Sequence, residues 1–210
     1  MSDRLTALSF ATADDSEELA RAELYGLLAR LWMAAPDEAL LEQFRVAVTQ
    51  APQEGAFLEG PWAALVAAMR ATTPQAAAQE YDALFLGVGK PEVFLYGSYY
   101  LAGFLNERPL AVLRDDLAAL GLARDEQRGE TEDHIAALCE VMRYLIAGDD
   151  VAVCNLERQR RFFRSHLQPW GEKLCDAVGA HPRAQLYAAL ADLTRAFLQV
   201  ETQGFDLLEL

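Results

Sequence analysis

The chain holds 210 residues, 52% of them hydrophobic, and its 32 acids against 18 bases give a formal net charge of -14. That length and apolar fraction support a buried core and exclude wholesale disorder. The acidic balance excludes nucleic acid and anionic membrane surfaces as partners and suits a basic peptide instead.

The N-terminal stretch, residues 1–15, reads as a flexible arm, and its acids and lack of an apolar run argue against a secretory signal. Asp14, Asp15 or Ser16 can cap a helix to about Met33, with Leu24, Leu27, Leu28 and Leu31 at helical spacing. Pro36 breaks it, and Asp37 starts a second helix to about Thr49. The stretch 51–61 is a loop, and Pro61 suits the first position of a helix to about Ala71. Thr73 and Pro74 open the next, ending near Leu86. Residues 87–103, "GVGKPEVFLYGSYYLAG", lack helical periodicity at first and read as an apolar loop entering a short helix.

After Pro109 a helix runs until Gly121, and 123–130 is a charged linker. Thr131, Asp133 and His134 start a helix to about Ala147, ended by Gly148; Asp149 or Asp150 caps another to about Leu167. Pro169 and Gly171 interrupt, a short helix covers 172–179, and Pro182 opens the last, to about Glu201. Every long element is helical. The expected class is all-α: one domain over 16–210 of about eight to ten helices, which a hinge near 123–130 can divide into two subdomains. No stretch approaches the roughly 20 apolar residues of a membrane span. The three cysteines, 139, 154 and 175, include no CxxC, so a disulfide framework and a thiolate metal site are both disfavoured and a reducing cytoplasm fits.

Three segments carry candidate chemistry. "GETEDHIAALCEVM" packs Glu130, Glu132, Asp133 and His134 in front of an apolar helical run. Acids there can serve the helix N-terminus and its dipole. An Asp–His acid/base pair is the second reading, but adjacent helical residues point about 100° apart and no nucleophile announces itself. Docking of arginines by forked hydrogen bonds is the third. His134 has no metal-ligand partner one turn on, so no metal is expected. The second segment, 81–101, holds Tyr81, Phe85, Phe94, Tyr96, Tyr99 and Tyr100. Core packing accounts for Leu84 and Phe85, whereas four aromatics within 94–100 around Gly97 and Ser98 exceed what one buried face absorbs and suit an apolar peptide. The third, "ERQRRFFRSHLQPW", carries four arginines within 158–164, and a solvated or internally paired helix face is favoured over nucleic-acid contact.

"YDALFLGVGKPEVFLYGSYYL" and "ETEDHIAALCEVM" resemble the two signatures of the TorD/DmsD family of redox-enzyme maturation chaperones. The first matches at Tyr81, Leu84, Phe85, Gly87, Pro91, Tyr96, Ser98, Tyr100 and Leu101; the second at Glu130, Asp133 and His134. Between them Arg114 and Gly121 resemble the family's Leu-Arg helix ending in Gly. Thr131 stands where the family has Pro, and Phe94-Leu95 where it often has Pro. The resemblance implies an all-α cytoplasmic chaperone, monomer or domain-swapped dimer, without catalytic turnover or cofactor of its own. It would bind the twin-arginine signal peptide of a molybdopterin oxidoreductase, a formate dehydrogenase-like enzyme among the options, and assist folding, cofactor insertion and export proofreading. The site it implies is Leu84, Phe85, Tyr96, Gly97, Ser98, Tyr99 and Tyr100 for the apolar segment, with Arg114, Glu130, Asp133 and His134 meeting its arginines or ordering the linker. His134, if protonated near pH 6.5, would weaken an acidic site by one charge. The alternatives are an assembly chaperone for a cytoplasmic, nitrate-reductase-like subunit, and a small hydrolase or nucleotide-binding protein using Asp133 and His134.

Overall fold

The computed structural model describes residues 13–46, 57–87, 89–124 and 129–207. Among them are ten α-helices and no strand, so the all-α class expected from the sequence is the one found. The arm over 1–12, residues 47–49 and most of the proposed hinge, 125–128, lie outside the described residues.

Helix α1, Ala13–Met33, buries Tyr25, Leu28, Leu31 and Trp32 on one face and leaves Glu23 and Arg30 exposed. It packs along α7, Ile135–Ala147, whose apolar face puts Leu138, Cys139, Met142 and Leu145 out of water. Helix α10, Leu186–Leu207, lies against α9, Gln168–Gly179, and α3, Glu59–Ala71. One polar network ties these layers together. Arg21 grips the Glu201 carboxylate with two bonds of 2.8 Å, and the Tyr25 hydroxyl donates to it at 2.9 Å. A buried carboxylate survives there because it is met by charged and hydroxyl donors.

The remaining helices frame this core. Helix α2, Glu38–Val46, is capped by Asp37, which accepts the Leu40 N–H at 2.8 Å. Thr73 caps α4, Pro74–Tyr81, by accepting the Ala76 N–H at 3.2 Å. That helix continues as a π turn, Asp82–Leu86, so it reaches Leu86 as the sequence predicts. A short helix α5, Gly97–Ala102, follows the apolar loop, and α6, Arg108–Ala119, stops before Gly121.

Several boundaries differ from expectation. Helix α3 starts at Glu59, two residues before Pro61. Helix α7 starts at Ile135, four residues after Thr131. Asp149 and Asp150 cap no helix: Asp150 holds a turn, with its carboxylate on the Ala152 N–H, and Asn155 caps α8, Leu156–His166, by accepting from the Arg158 N–H. The break expected near Pro169 is present but confined to Leu167, between α8 and α9, and Gly171 lies inside α9. Pro169 sits in the first turn of α9, where its missing N–H costs no hydrogen bond, and Gly171 is pressed against Leu198 of α10, where a side chain would collide. Helix α10 begins beyond Pro182 because its first amides are met by a distant carboxylate: Glu80 of α4 accepts the N–H groups of Gln185, Leu186 and Tyr187.

The arginine-rich helix is internally paired, the reading the sequence favoured. Arg161 meets Asp116 at 3.0 Å and Arg164 meets Asp206. The three cysteines are free thiols, Cys139 and Cys175 buried. No helix among the described residues is long and apolar enough to cross a membrane.

Candidate functional site

Two segments far apart in sequence meet edge to edge. The Ile135 N–H donates to the Leu95 carbonyl and the Gly97 N–H to the Asp133 carbonyl, both at 2.9 Å, which makes an isolated antiparallel bridge between Tyr96 and His134. This bridge positions everything that follows.

The four titratable groups of 130–134 go to four separate tasks. Asp133, 3% exposed, caps a helix, but not the one it precedes: its carboxylate accepts the Ser98 N–H of α5 at 2.8 Å. Its other oxygen accepts the Thr131 hydroxyl at 2.6 Å, so the residue standing where the family has Pro also anchors this carboxylate. His134 caps α7, with Nδ1 accepting the Ala136 N–H at 3.1 Å, which leaves the proton of the neutral ring on Nε2. Burial pushes its pKa down to about 4, against the pull of Asp133. The expected protonation of His134 near pH 6.5 is therefore corrected: the ring stays neutral there because a charged imidazolium would lose its water and its cap. Glu132 is clasped by Arg114 through two bonds of 2.9 Å, and that hydrogen-bonded guanidinium holds its carboxyl below the usual range. Glu130 alone is exposed, accepting the Tyr96 hydroxyl at 3.1 Å.

The aromatic segment divides likewise. Leu84 is 0% exposed and Phe85 only 6%. Phe85 sits edge-on among Trp32, Tyr81 and Tyr187. Both are core residues that support the site from beneath and present no surface. Tyr96, Tyr99 and Tyr100 are half-buried. Tyr99 stacks on Phe94 at 4.1 Å, and Tyr100 stacks on Trp170 of α9 while donating to the Phe94 carbonyl at 2.8 Å. Burial raises the Tyr100 phenol, and burial with the Glu130 carboxylate raises that of Tyr96, so neither ionises near neutrality. Gly97 is required by a close approach: a Cβ there would stand 2.8 Å from Trp170 Nε1.

Beside α5 lies a groove of about 390 Å³ walled by α5, α6 and α9, with Ser98, Leu101, Pro109, Val112, Leu138 and Trp170 among its lining. Asp133 and His166 reach it as well, so the bridge contributes directly to its wall. Large apolar side chains lie exposed on the same two helices and the turn between them: Leu101, Phe104, Leu105 and Val112, with Phe104 71% exposed. Sequence reasoning named Gly97, Ser98 and Asp133 of this groove as site residues and Leu101 only as part of the first signature, and it missed Trp170 and Val112. The apolar run "LAGFL" before the polar "NERP" was the available signal. Glu107, Asp115 and Glu130 are exposed carboxylates with no ion pair among the described residues. No cluster of metal-ligating side chains exists among those residues either.

Comparison with known proteins decides the family. The sequence profile of the family described as nitrate reductase delta subunit matches residues 52–176, more than half of the chain and both of the bridged segments. The chain belongs to the nitrate reductase delta subunit family. Curated relatives of this family member are named Chaperone protein TorD, in line with the resemblance read from its two signatures. The protein from Vibrio cholerae serotype O1 (strain ATCC 39541) is 27% identical over 136 residues, 61% of this chain and 62% of the relative. That from Vibrio cholerae strain M66-2 matches to the same extent. The relative from Photobacterium profundum is 25% identical over 199 residues, 90% of this chain and 84% of the relative. The chain thus spans 62% of the length of the Vibrio relatives it matches.

Proposed function

We propose that the protein is a cytoplasmic chaperone that binds the twin-arginine signal peptide of a molybdopterin oxidoreductase and assists that enzyme's folding, cofactor insertion and export proofreading. The observation that carries this reading is the apolar groove walled by α5, α6 and α9, with exposed Leu101 and Val112 in its lining and exposed Phe104 and Leu105 on the turn between α5 and α6, on a protein of net charge -14. A signal peptide has the complementary chemistry, an apolar stretch behind arginines. The apolar stretch enters the groove, and the exposed carboxylates Glu107, Asp115 and Glu130 attract the arginines. Tyr96, Tyr99 and Tyr100 form the aromatic shoulder of the site; Arg114, Asp133 and His134 hold its frame. In this reading the protein turns over no substrate of its own, which is supported by the use of Asp133 and His134, the pair a hydrolase would need, as helix caps.

Calorimetric titration with a twin-arginine leader peptide tests this. The native chain binds, and Val112→Glu and Leu101→Glu, both at exposed positions, weaken binding at least tenfold, the order expected for a charge set in an apolar site. Undiminished affinity in both folded variants would remove the groove from the account.

The family description favours a second reading, an assembly chaperone for a nitrate-reductase-like subunit that carries no leader. A pull-down separates the two: capture by a leader fused to an unrelated protein supports the first, and capture by the leaderless enzyme subunit alone supports the second.

A further inference from the structure

Burial alternates along the segment that leads into α5. Val93 and Leu95 are each 4% exposed, whereas Glu92 is exposed and Phe94 and Tyr96 are half-buried. The backbone is pinned from within: the Val93 N–H donates to the Leu84 carbonyl and the Leu95 carbonyl accepts the Ile135 N–H, both at 2.9 Å. The Tyr100 hydroxyl holds the Phe94 carbonyl at 2.8 Å. Glu92, Phe94 and Tyr96 therefore make a fixed outward row, and the Tyr96 hydroxyl carries Glu130 at its tip.

A cation already sits on this row. The Lys90 ammonium stands over the Phe94 ring, 5.7 Å from its centroid. Tyr99 stacks on the same ring at 4.1 Å, too close for a cation to come between, so Lys90 faces the open side of Phe94. Lys90 is exposed and meets no carboxylate among the described residues. What draws it there is the negative face of the ring, a weak attraction at an exposed position. A guanidinium suits the place better. It is flat and weakly hydrated, and it lies on a ring while its N–H groups point outward in its own plane. Carboxylates stand on both sides of Phe94 along the row: Glu92, with Arg183 no nearer than 3.9 Å, and Glu130.

We infer that the open face of Phe94 is the seat of a leader arginine, that Lys90 fills it in the free protein and is displaced on binding, and that this face selects arginine over lysine. The inference rests on the leader-binding reading above. It is particular to this chain, because Phe94 stands where the family often has Pro.

Calorimetric titration with two leaders, one with its arginines intact and one with lysines in their place, tests it. The native chain should favour the arginine leader about five- to tenfold, a preference that Phe94→Leu abolishes and Phe94→Tyr, which keeps a ring, retains. Lys90→Met should bind the arginine leader about threefold tighter than the native chain. Lys173→Met, at an exposed lysine of α9, makes the same change in net charge and should gain less. In proton NMR the Lys90 methylenes should be shifted upfield by the Phe94 ring and lose that shift when the leader binds; this arm and the Lys90→Met arm need no change at Phe94. An arginine preference that survives Phe94→Leu overturns the inference, as does a gain in Lys90→Met no larger than that in Lys173→Met, or a Lys90 shift that persists in the complex. Binding of both leaders equally by the native chain also overturns it and leaves the proposed function intact. Absence of any leader binding by the native chain removes the proposed function, and this inference with it.

Discussion

Asp133 spends both carboxylate oxygens on neighbours that the chain itself brings to it: an amide at the start of α5 and the hydroxyl of Thr131. Removing it leaves a buried N–H and a hydroxyl unmet at the join between the two signature segments. Asp133→Ala is therefore expected to lower the unfolding free energy by about 2–4 kcal/mol in urea titration, and Asp133→Asn, which keeps one acceptor, by less. A loss below about 0.5 kcal/mol for Asp133→Ala would show that the carboxylate caps nothing. His134 sets a pH dependence. Its folded value of about 4 lies below the ordinary 6.5, so the unfolded chain takes up the proton first. The stability that the neutral ring carries is complete above about pH 6.5 and is lost as the pH falls from there towards 4, by about 3 kcal/mol in all. His166 is shifted the same way, burial outweighing Asp116, and adds to the slope. Denaturant midpoints at stepped pH check it: the native chain should weaken over that window, and His134→Asn, which can cap α7 without titrating, should weaken less.

At the scale of the element, α10 shows how a helix can be begun from elsewhere. Three amides at its start converge on Glu80. Glu80→Ala should cost about 2 kcal/mol and lower Tm by about 4–8 °C in a chain of this size, whereas Glu80→Gln keeps an acceptor oxygen and loses less. Equal losses in the two variants would mean the amides are not being capped. The same feature explains what the sequence could and could not disclose. The bodies of α1, α6, α7 and α10 follow from apolar residues at helical spacing, a local property. Their first residues follow from capping, and at α5 and α10 the cap arrives from a residue dozens of positions away, which no local pattern carries. His134 as a cap was masked by the acids around it, and Asp150 looked like a cap because a turn and a helix start use the same side chain. The two signature segments were legible because their residue types are unusual. The groove was not, since Trp170 reaches Gly97 only through the packing of α9 on α5. Leu84 and Phe85 belonged to the signature and to the core at once, and the structure places them in the core.

For the whole molecule, charge is the property that acts at a distance. A body of net charge -14 draws a cationic segment towards it before any contact forms. Association with a twin-arginine leader should slow about tenfold as ionic strength rises from about 0.02 M to about 0.3 M, with dissociation much less affected. Stopped-flow mixing measures both rates, and an association rate indifferent to salt would show that attraction plays no part. The bridge between Leu95–Gly97 and Asp133–Ile135 carries a last consequence, one of timing. A nascent chain that has left the ribosome only as far as Arg124 holds α5 without Asp133, and its groove still waits for Trp170. The cleft is therefore finished late in translation, when the chain has been made as far as Trp170, and a copy that stops short of it has no complete groove.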